Sequence, residues 1–223
     1  MKKQIIHTAD GSSSIYLPDL DEHYHSRHGA IQEAYHVFIR MGLDLFKEES
    51  SVRILEMGFG TGLNCFITFL EAQRRGLEVQ YTGIEAFPLE LQLVRELQHV
   101  KQLGAEAFEG AYERLHASPW ESLTEISEGF GLLKRKALFE DIAYKGGFDL
   151  VYFDAFGARV QPDLWDERIF RSMYLALDKE GVLVTYAAKG SVRRAMQSVG
   201  FEVERLPGPP GKREMLRARK RIS

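Results

Sequence analysis

The stretch Glu56-Met57-Gly58-Phe59-Gly60-Thr61-Gly62-Leu63-Asn64 sets three glycines at alternate positions behind an acid. Glycines this dense let a backbone turn sharply and let a ligand approach main-chain atoms. The dinucleotide fingerprint is G-x-G-x-x-G. Here the spacing is G-x-G-x-G, and Glu56, two residues ahead, suits an ammonium group and disfavours pyrophosphate. Glu85 lies 29 residues further on, a carboxylate of the kind that accepts hydrogen bonds from vicinal ribose hydroxyls in nucleotide folds. Asp141 suits an adenine amino group. Together these acids describe a ligand with an amino acid end, a ribose, a base and no phosphate, the parts of S-adenosylmethionine. Taken singly, the glycine turn also serves a generic nucleotide, and Glu85 and Asp141 also read as helix caps.

Asp154-Ala155-Phe156-Gly157 adds a carboxylate and an aromatic ring to the same set. A methyl group on a sulfonium sulfur needs little activation. It needs a nucleophile aligned with it and water excluded. An amine nucleophile must also shed its proton, and a neighbouring carboxylate can hold the amine and take that proton. Asp154 suits that role and Phe156 suits packing against a planar ring, with helix capping by Asp154 as the alternative.

These residues need a scaffold that brings them to one rim. Apolar runs at 52–57, 79–84, 137–139, 148–153 and 182–186 read as strands, and 63–73, 88–99, 104–114, 162–177 and 191–199 read as helices. Strand–helix alternation predicts an α/β fold with a Rossmann-like, mostly parallel sheet. Each of the first four strands then ends in an acid or the glycine turn, where open parallel sheets bind ligands. Two last strands, 201–206 and 213–218, flank Pro207-Gly208-Pro209-Pro210-Gly211 and should form an antiparallel hairpin, making seven strands. Residues 118–132 show no clear period. The first 50 residues read as an extension to a methyltransferase-type domain over 51–223: a hairpin around Asp10-Gly11, a histidine- and tyrosine-rich stretch, and an amphipathic helix over 30–46.

At 223 residues, 44% apolar and 27% charged, the chain has globular composition. No apolar run approaches the roughly 18 residues of a membrane span, and no signal-peptide core follows Met1. A single cysteine, Cys65, makes no internal disulfide or cysteine zinc cluster and fits a reducing cytoplasm. No metal and no membrane partner are expected. From Lys189 onward ten basic residues face three acids, a local +7 that leaves −10 on the rest. That asymmetry reads equally as a polyanion footprint or as a solvated tail.

The motifs in order resemble those of the MnmC/MnmD methyltransferases, which modify the wobble uridine of tRNA. The resemblance runs over about residues 20–218. It rests on the glycine motif, Gly83-Ile84-Glu85-Ala86-Phe87-Pro88-Leu89, Phe153-Asp154-Ala155-Phe156, Gln161-Pro162-Asp163-Leu164-Trp165, Val192-Arg193-Arg194, Lys212-Arg213-Glu214-Met215-Leu216 and, near the start, Tyr24-His25-Ser26 with Glu33-Ala34-Tyr35-His36-Val37-Phe38. It implies the class I S-adenosylmethionine-dependent methyltransferase fold and conversion of 5-aminomethyl-(2-thio)uridine to 5-methylaminomethyl-(2-thio)uridine. The cofactor residues it implies are Glu56, Gly58, Phe59, Gly60, Thr61, Gly62, Asn64, Glu85, Ala86 and Asp141, with Asp154 facing the amine. Tyr24, Ser26 and Phe156 are expected on the substrate side, and Lys189, Arg193, Arg194, Lys212 and Arg213 as phosphate contacts to a tRNA anticodon loop. Where many relatives read Asp-Gly-Phe this chain has Asp154-Ala155-Phe156. No second glycine fingerprint follows, so a stand-alone methyltransferase is expected, with a separate enzyme supplying the aminomethyl substrate. A small-molecule amine methyltransferase, an aminopropyltransferase and a module that binds cofactor or RNA without turnover remain as alternatives; the basic end favours RNA.

Overall fold

The computed structural model describes residues 2–221; Met1, Ile222 and Ser223 lie outside the described residues. The chain opens with β1 (Gln4–His7), β2 (Ser13–Leu17) and β3 (Glu22–His23), a small antiparallel sheet whose register pairs Gln4 with Tyr16 and Tyr16 with His23. Asp10 organises the first turn, accepting from the Ser12 amide and from the Thr8 and Ser12 hydroxyls. The expected helix over 30–46 is broken into three: α1 (Ala30–Ala34), a π-helical segment at Tyr35–Arg40 and a 3-10 turn at Leu43–Leu45. The wider π turns still bury Val37, Phe38 and Ile39, so the apolar spacing marks the buried face but not the winding.

The main body follows as β4 (Ser51–Met57), α2 (Leu63–Arg75), β5 (Glu78–Ile84), α3 (Leu91–Glu96), α4 (His99–Gln102) and α5 (Glu109–Ala117). After these come β6 (Leu123–Ser127), β7 (Phe130–Arg135), β8 (Phe148–Phe153), α6 (Glu167–Ala176), β9 (Leu177–Thr185), α7 (Gly190–Ser198), β10 (Glu202–Pro207) and β11 (Glu214–Arg219). The sheet order is β10-β11-β9-β8-β4-β5-β7-β6. β7, β5, β4, β8 and β9 run parallel, and β6, β11 and β10 are antiparallel to their neighbours. Apolar residues pack both faces. On one, Phe66, Phe69 and Tyr81 gather with the amino-terminal Val37 and Phe38; on the other, Leu55, Phe153, Phe170 and Met196 gather under α6 and α7. Continuous burial of Val52, Ile54, Leu55 and Met57 is what a strand covered on both sides requires.

The sheet has eight strands, not seven. The third parallel strand is Phe130–Arg135, not 137–139, and it pairs with β6 across a turn in which Gly129 has φ +76°. The apolar run 137–139 leaves the sheet instead: Phe139–Asp141 is a 3-10 turn, with Phe139 and Ile142 buried against the second core. Packing satisfies those side chains without a strand ladder. β10 and β11 form the expected hairpin at one edge, and β6 closes the other. No helix among the described residues is long and apolar enough to cross a membrane.

Candidate active site

The carboxyl ends of β4, β5 and β8 meet at one rim, and the turn after β4 is built for close approach. Gly58, Gly60 and Gly62 all have positive φ, +96°, +50° and +71°. A Cβ on Gly58 would also lie 2.5 Å from the Asp154 carbonyl oxygen, so a side chain there is excluded by contact as well as by conformation. Phe59 folds onto Gly83 of the next strand, where a Cβ would meet its ring at 2.3 Å. Glu85 ties the rim together: its carboxylate accepts from the Gly60 amide and from the Phe87 amide, both at 2.9 Å. It therefore caps no helix; α3 begins six residues later, with Glu90 at its start. Each Glu85 oxygen keeps further acceptor capacity. Glu85, Ala86, Phe59, Gly60, Thr61 and Asn64 line a cavity with about 760 Å³ of empty space, its open mouth included.

Asp154 closes the opposite wall. Its amide donates to the Met57 carbonyl at 2.9 Å, and its carboxylate accepts from Asn64 Nδ2 at 2.8 Å. The same Asn64 nitrogen donates to Glu56 at 2.9 Å, so the amide bridges two acids. The capping alternative for Asp154 fails, because α6 is capped by Asp166, which accepts from the Arg168 and Ile169 amides. Burial, then the neighbouring Glu33 carboxylate, push the Asp154 carboxyl up to about 7, against the opposing pull of the Asn64 bond and of Lys212. Burial pushes Glu56 well above the carboxylate range, which favours its protonated form. An acid titrating near neutrality can both take and release a proton under working conditions.

The amino-terminal segment supplies the cover. Tyr24 lies 3.3 Å from where a Gly60 Cβ would be and meets Phe156 edge-on, ring centres 5.1 Å apart. His25 lies between Ser14, 3.0 Å from Nδ1, and Thr61, 3.4 Å from Nε2, and burial lowers it to about 3, so its ring is neutral. The loop carrying Asp154 is pinned twice. Trp165 Nε1 donates to the Phe156 carbonyl at 2.8 Å, and the Tyr186 hydroxyl donates to the Ala155 carbonyl at 2.7 Å.

Several expected site residues sit elsewhere. Glu56 does not line the cavity; it is fully buried beneath the glycine turn and reaches the rim only through Asn64. Asp141 is exposed in the 3-10 turn, and its neighbours Leu138 and Phe139 line the cavity in its place. Ser26 is occupied locally, its amide donating to Glu33 and its hydroxyl oxygen accepting from the His28 amide. The carboxyl-terminal basic charge is largely spent within the protein: Arg205 pairs with Glu214, Arg217 with Glu204, Arg219 with Glu180 and Arg221 with Glu202. Lys212 is no solvated phosphate contact either. It ion-pairs with the nearly buried Glu33, and its ammonium lies 3.8 Å from the centre of the Tyr186 ring. Lys189, Arg194 and Arg213 are exposed, Arg193 is half-buried, and none of the four has an ion pair among the described residues. His25, Glu33 and Tyr186 are the residues sequence reasoning left without a role. Glu33 and His25 lay inside quoted motifs, but nothing local marked them as partners of Asp154. No cluster of three or more metal-ligating side chains occurs among the described residues.

Residues 120–221 match the S-adenosyl-L-methionine-dependent methyltransferase family. A crossover α/β sheet, a glycine turn after its first parallel strand and an acid after the next give this chain the α/β fold of S-adenosylmethionine-dependent methyltransferases. One buried acceptor beside the cavity, Asn64 Oδ1, has no hydrogen-bond partner, as expected where a ligand brings a donor. The relatives narrow the likeness. The chain is 31% identical to the tRNA 5-methylaminomethyl-2-thiouridine biosynthesis bifunctional protein MnmC of Burkholderia thailandensis, over 95% of this chain and 34% of that protein. It is 30% identical to the protein of the same name from Paracidovorax citrulli, over 91% and 33%. The chain thus spans about a third of the length of the curated relatives it matches. Among solved structures, MNMC2 from Aquifex aeolicus superposes with a TM-score of 0.74 at 27% identity, over 97% of this chain and 70% of that one. Spermidine synthase from Thermotoga maritima shares the fold alone, with a TM-score of 0.57 at 15% identity.

Proposed function

We propose that the chain methylates the aminomethyl nitrogen of 5-aminomethyl-(2-thio)uridine at the tRNA wobble position. The observation that carries the reading is Asp154, a half-buried carboxylate raised to about 7 at the mouth of the candidate methyl-donor cavity. The names of the MnmC relatives support the substrate. S-adenosylmethionine, when bound, supplies a methyl group on a positively charged sulfur. Glu85 would hold the ribose, the glycine-turn amides and the free Asn64 oxygen the amino acid end, and Leu138 and Phe139 the adenine face. Tyr24 and Phe156 would flank the pyrimidine ring and keep water out. Ionised Asp154 takes one proton from the substrate ammonium, freeing the nitrogen lone pair. The freed lone pair would then be available to the methyl group the cofactor supplies, with Asp154 holding the released proton. Residues 1–50 act here as an extension that covers the site, and Lys189, Arg193, Arg194 and Arg213 as the surface holding the anticodon loop. The base must turn outward to reach Asp154, as single-stranded bases do when proteins read them. A separate enzyme supplies the aminomethyl-uridine tRNA, and the protein works in the cytoplasm.

The test is transfer of labelled methyl groups to tRNA bearing 5-aminomethyluridine, with the wobble nucleoside identified by mass spectrometry. Methyl transfer to polyamines or small amines but not to this tRNA would refute the proposal.

A further inference from the structure

The connection between β10 and β11 touches the amino-terminal segment at three points. Pro207 O accepts from His36 Nε2 at 2.8 Å; Gly211 lies so close to His28 that a Cβ would meet the ring at 2.1 Å; and Lys212 pairs with Glu33. Lys212 also lies over the Tyr186 ring, and the Tyr186 hydroxyl holds the carbonyl of Ala155, the residue after Asp154. Glu33 holds the Ser26 amide with its other oxygen, two residues from the Tyr24 that covers the glycine turn. One ammonium therefore joins the cover, the Asp154 loop and the last hairpin.

We propose that Lys212 is a positioning residue of this active site: clamped by Glu33 and Tyr186, it locks the β10–β11 connection onto the amino-terminal segment and keeps positive charge beside Asp154, so that Asp154 is available as the ionised proton acceptor. The charged and titratable groups around Asp154 come from every side. Glu33 on α1 disfavours its ionisation and Lys212 favours it, while Glu56 on β4, pushed toward its protonated form, Tyr186, which also faces Glu22, and the neutral His25 complete the surroundings. With Glu33 set against it, ionisation of Asp154 depends on Lys212, and partly buried charges are screened less than exposed ones. The kinetic arm of the test rests on the methyl-transfer reading; the titration arm does not.

The test compares Lys212→Met, Lys212→Arg and Glu33→Gln by carbon-detected NMR titration of the Asp154 carboxyl, assigned by its loss in Asp154→Asn. In Lys212→Met the midpoint should rise by roughly one unit, the scale of one neighbouring charge. Lys212→Arg should titrate near wild type, and Glu33→Gln below it. In methyl transfer, Lys212→Met should lose about fivefold in kcat/KM at pH 7, the fall in ionised Asp154 that a one-unit rise gives, and regain most of it by pH 9, which a purely structural role would not produce. An unmoved Asp154 midpoint in folded Lys212→Met, or an equal rate loss at every pH, overturns the proposal. If Lys212→Met does not fold, an unmoved midpoint in Glu33→Gln does the same. Absence of tRNA methylation by the wild type defeats the proposed substrate while the titration still decides the role of Lys212.

Discussion

The two walls of the cavity are made in different ways. The cofactor wall is almost all backbone: three glycines, the Gly60 and Phe87 amides, and one carboxylate that ties them together. The acceptor wall is a set of partly buried charges, Asp154, Glu33 and Lys212, drawn from the end of β8, α1 and the β10–β11 connection and braced by Asn64 and Tyr186. Backbone walls are set by local conformation and tolerate little variation in residue type. Charge walls are set by distant partners and hold their properties only while every partner is in place.

The largest effect should come from the acceptor wall. Asp154→Asn preserves size and can still accept from Asn64, but it takes no proton; the methyl-transfer rate should fall at least ~10²-fold with tRNA binding retained. A near-normal rate would make the amine lose its proton to solvent and reduce the acceptor wall to scaffolding. The same substitution has an opposite sign in stability. A buried acid whose pKa is raised from 3.8 to about 7 weakens the fold as pH rises through that window, because the unfolded chain releases its proton first. Wild type should therefore lose thermal stability relative to Asp154→Asn between pH 4 and pH 7, and parallel melting curves across that range would contradict the assigned burial.

On the cofactor wall, Gly58→Ala adds a Cβ 2.5 Å from the Asp154 carbonyl at φ +96°. It should disrupt both walls at once and abolish measurable S-adenosylmethionine binding by calorimetry in protein that still folds. Glu85→Ala should weaken that binding by about 1.5–3 kcal/mol, the scale of hydrogen bonds to a charged group, while leaving the Asp154 titration in place. A joint shift of both would show that the walls are not separable. The smallest effect lies outside both. Arg194→Ala should reduce the salt dependence of tRNA binding by about one contact, a slope change of ~0.7, with the rate at saturating tRNA little altered.

The same contrast explains what the sequence disclosed. The glycine turn, Glu85 and Asp154 each sit inside a contiguous motif at a strand end, and the parallel core they occupy follows from apolar runs and glycine breaks. The acceptor wall did not show itself because Glu33 and Lys212 are 179 positions apart and meet only in the folded chain. Composition even pointed the wrong way for Lys212, since a run of basic residues says nothing about which are already paired. Glu56 looked like a ligand because its spacing from the glycines is right; the pleat turns its side chain under the turn and into the core. β6 and β7 were hidden for a local reason. Lys134 sits mid-strand yet is 2% exposed, donating to the His116 carbonyl at 2.7 Å, so the strand lacks the apolar pattern its burial would suggest.

The Glu33–Lys212 contact also orders events in time. During synthesis the glycine turn, Glu85 and Asp154 all leave the ribosome before Lys212 does. Until Lys212 arrives, Asp154 faces Glu33 with no ammonium beside it. Closing a contact over so long a span is slow compared with the local pairings of the sheet. On the proposed role, the surroundings of Asp154 are accordingly the last part of the site to be completed, when the β10–β11 connection meets α1.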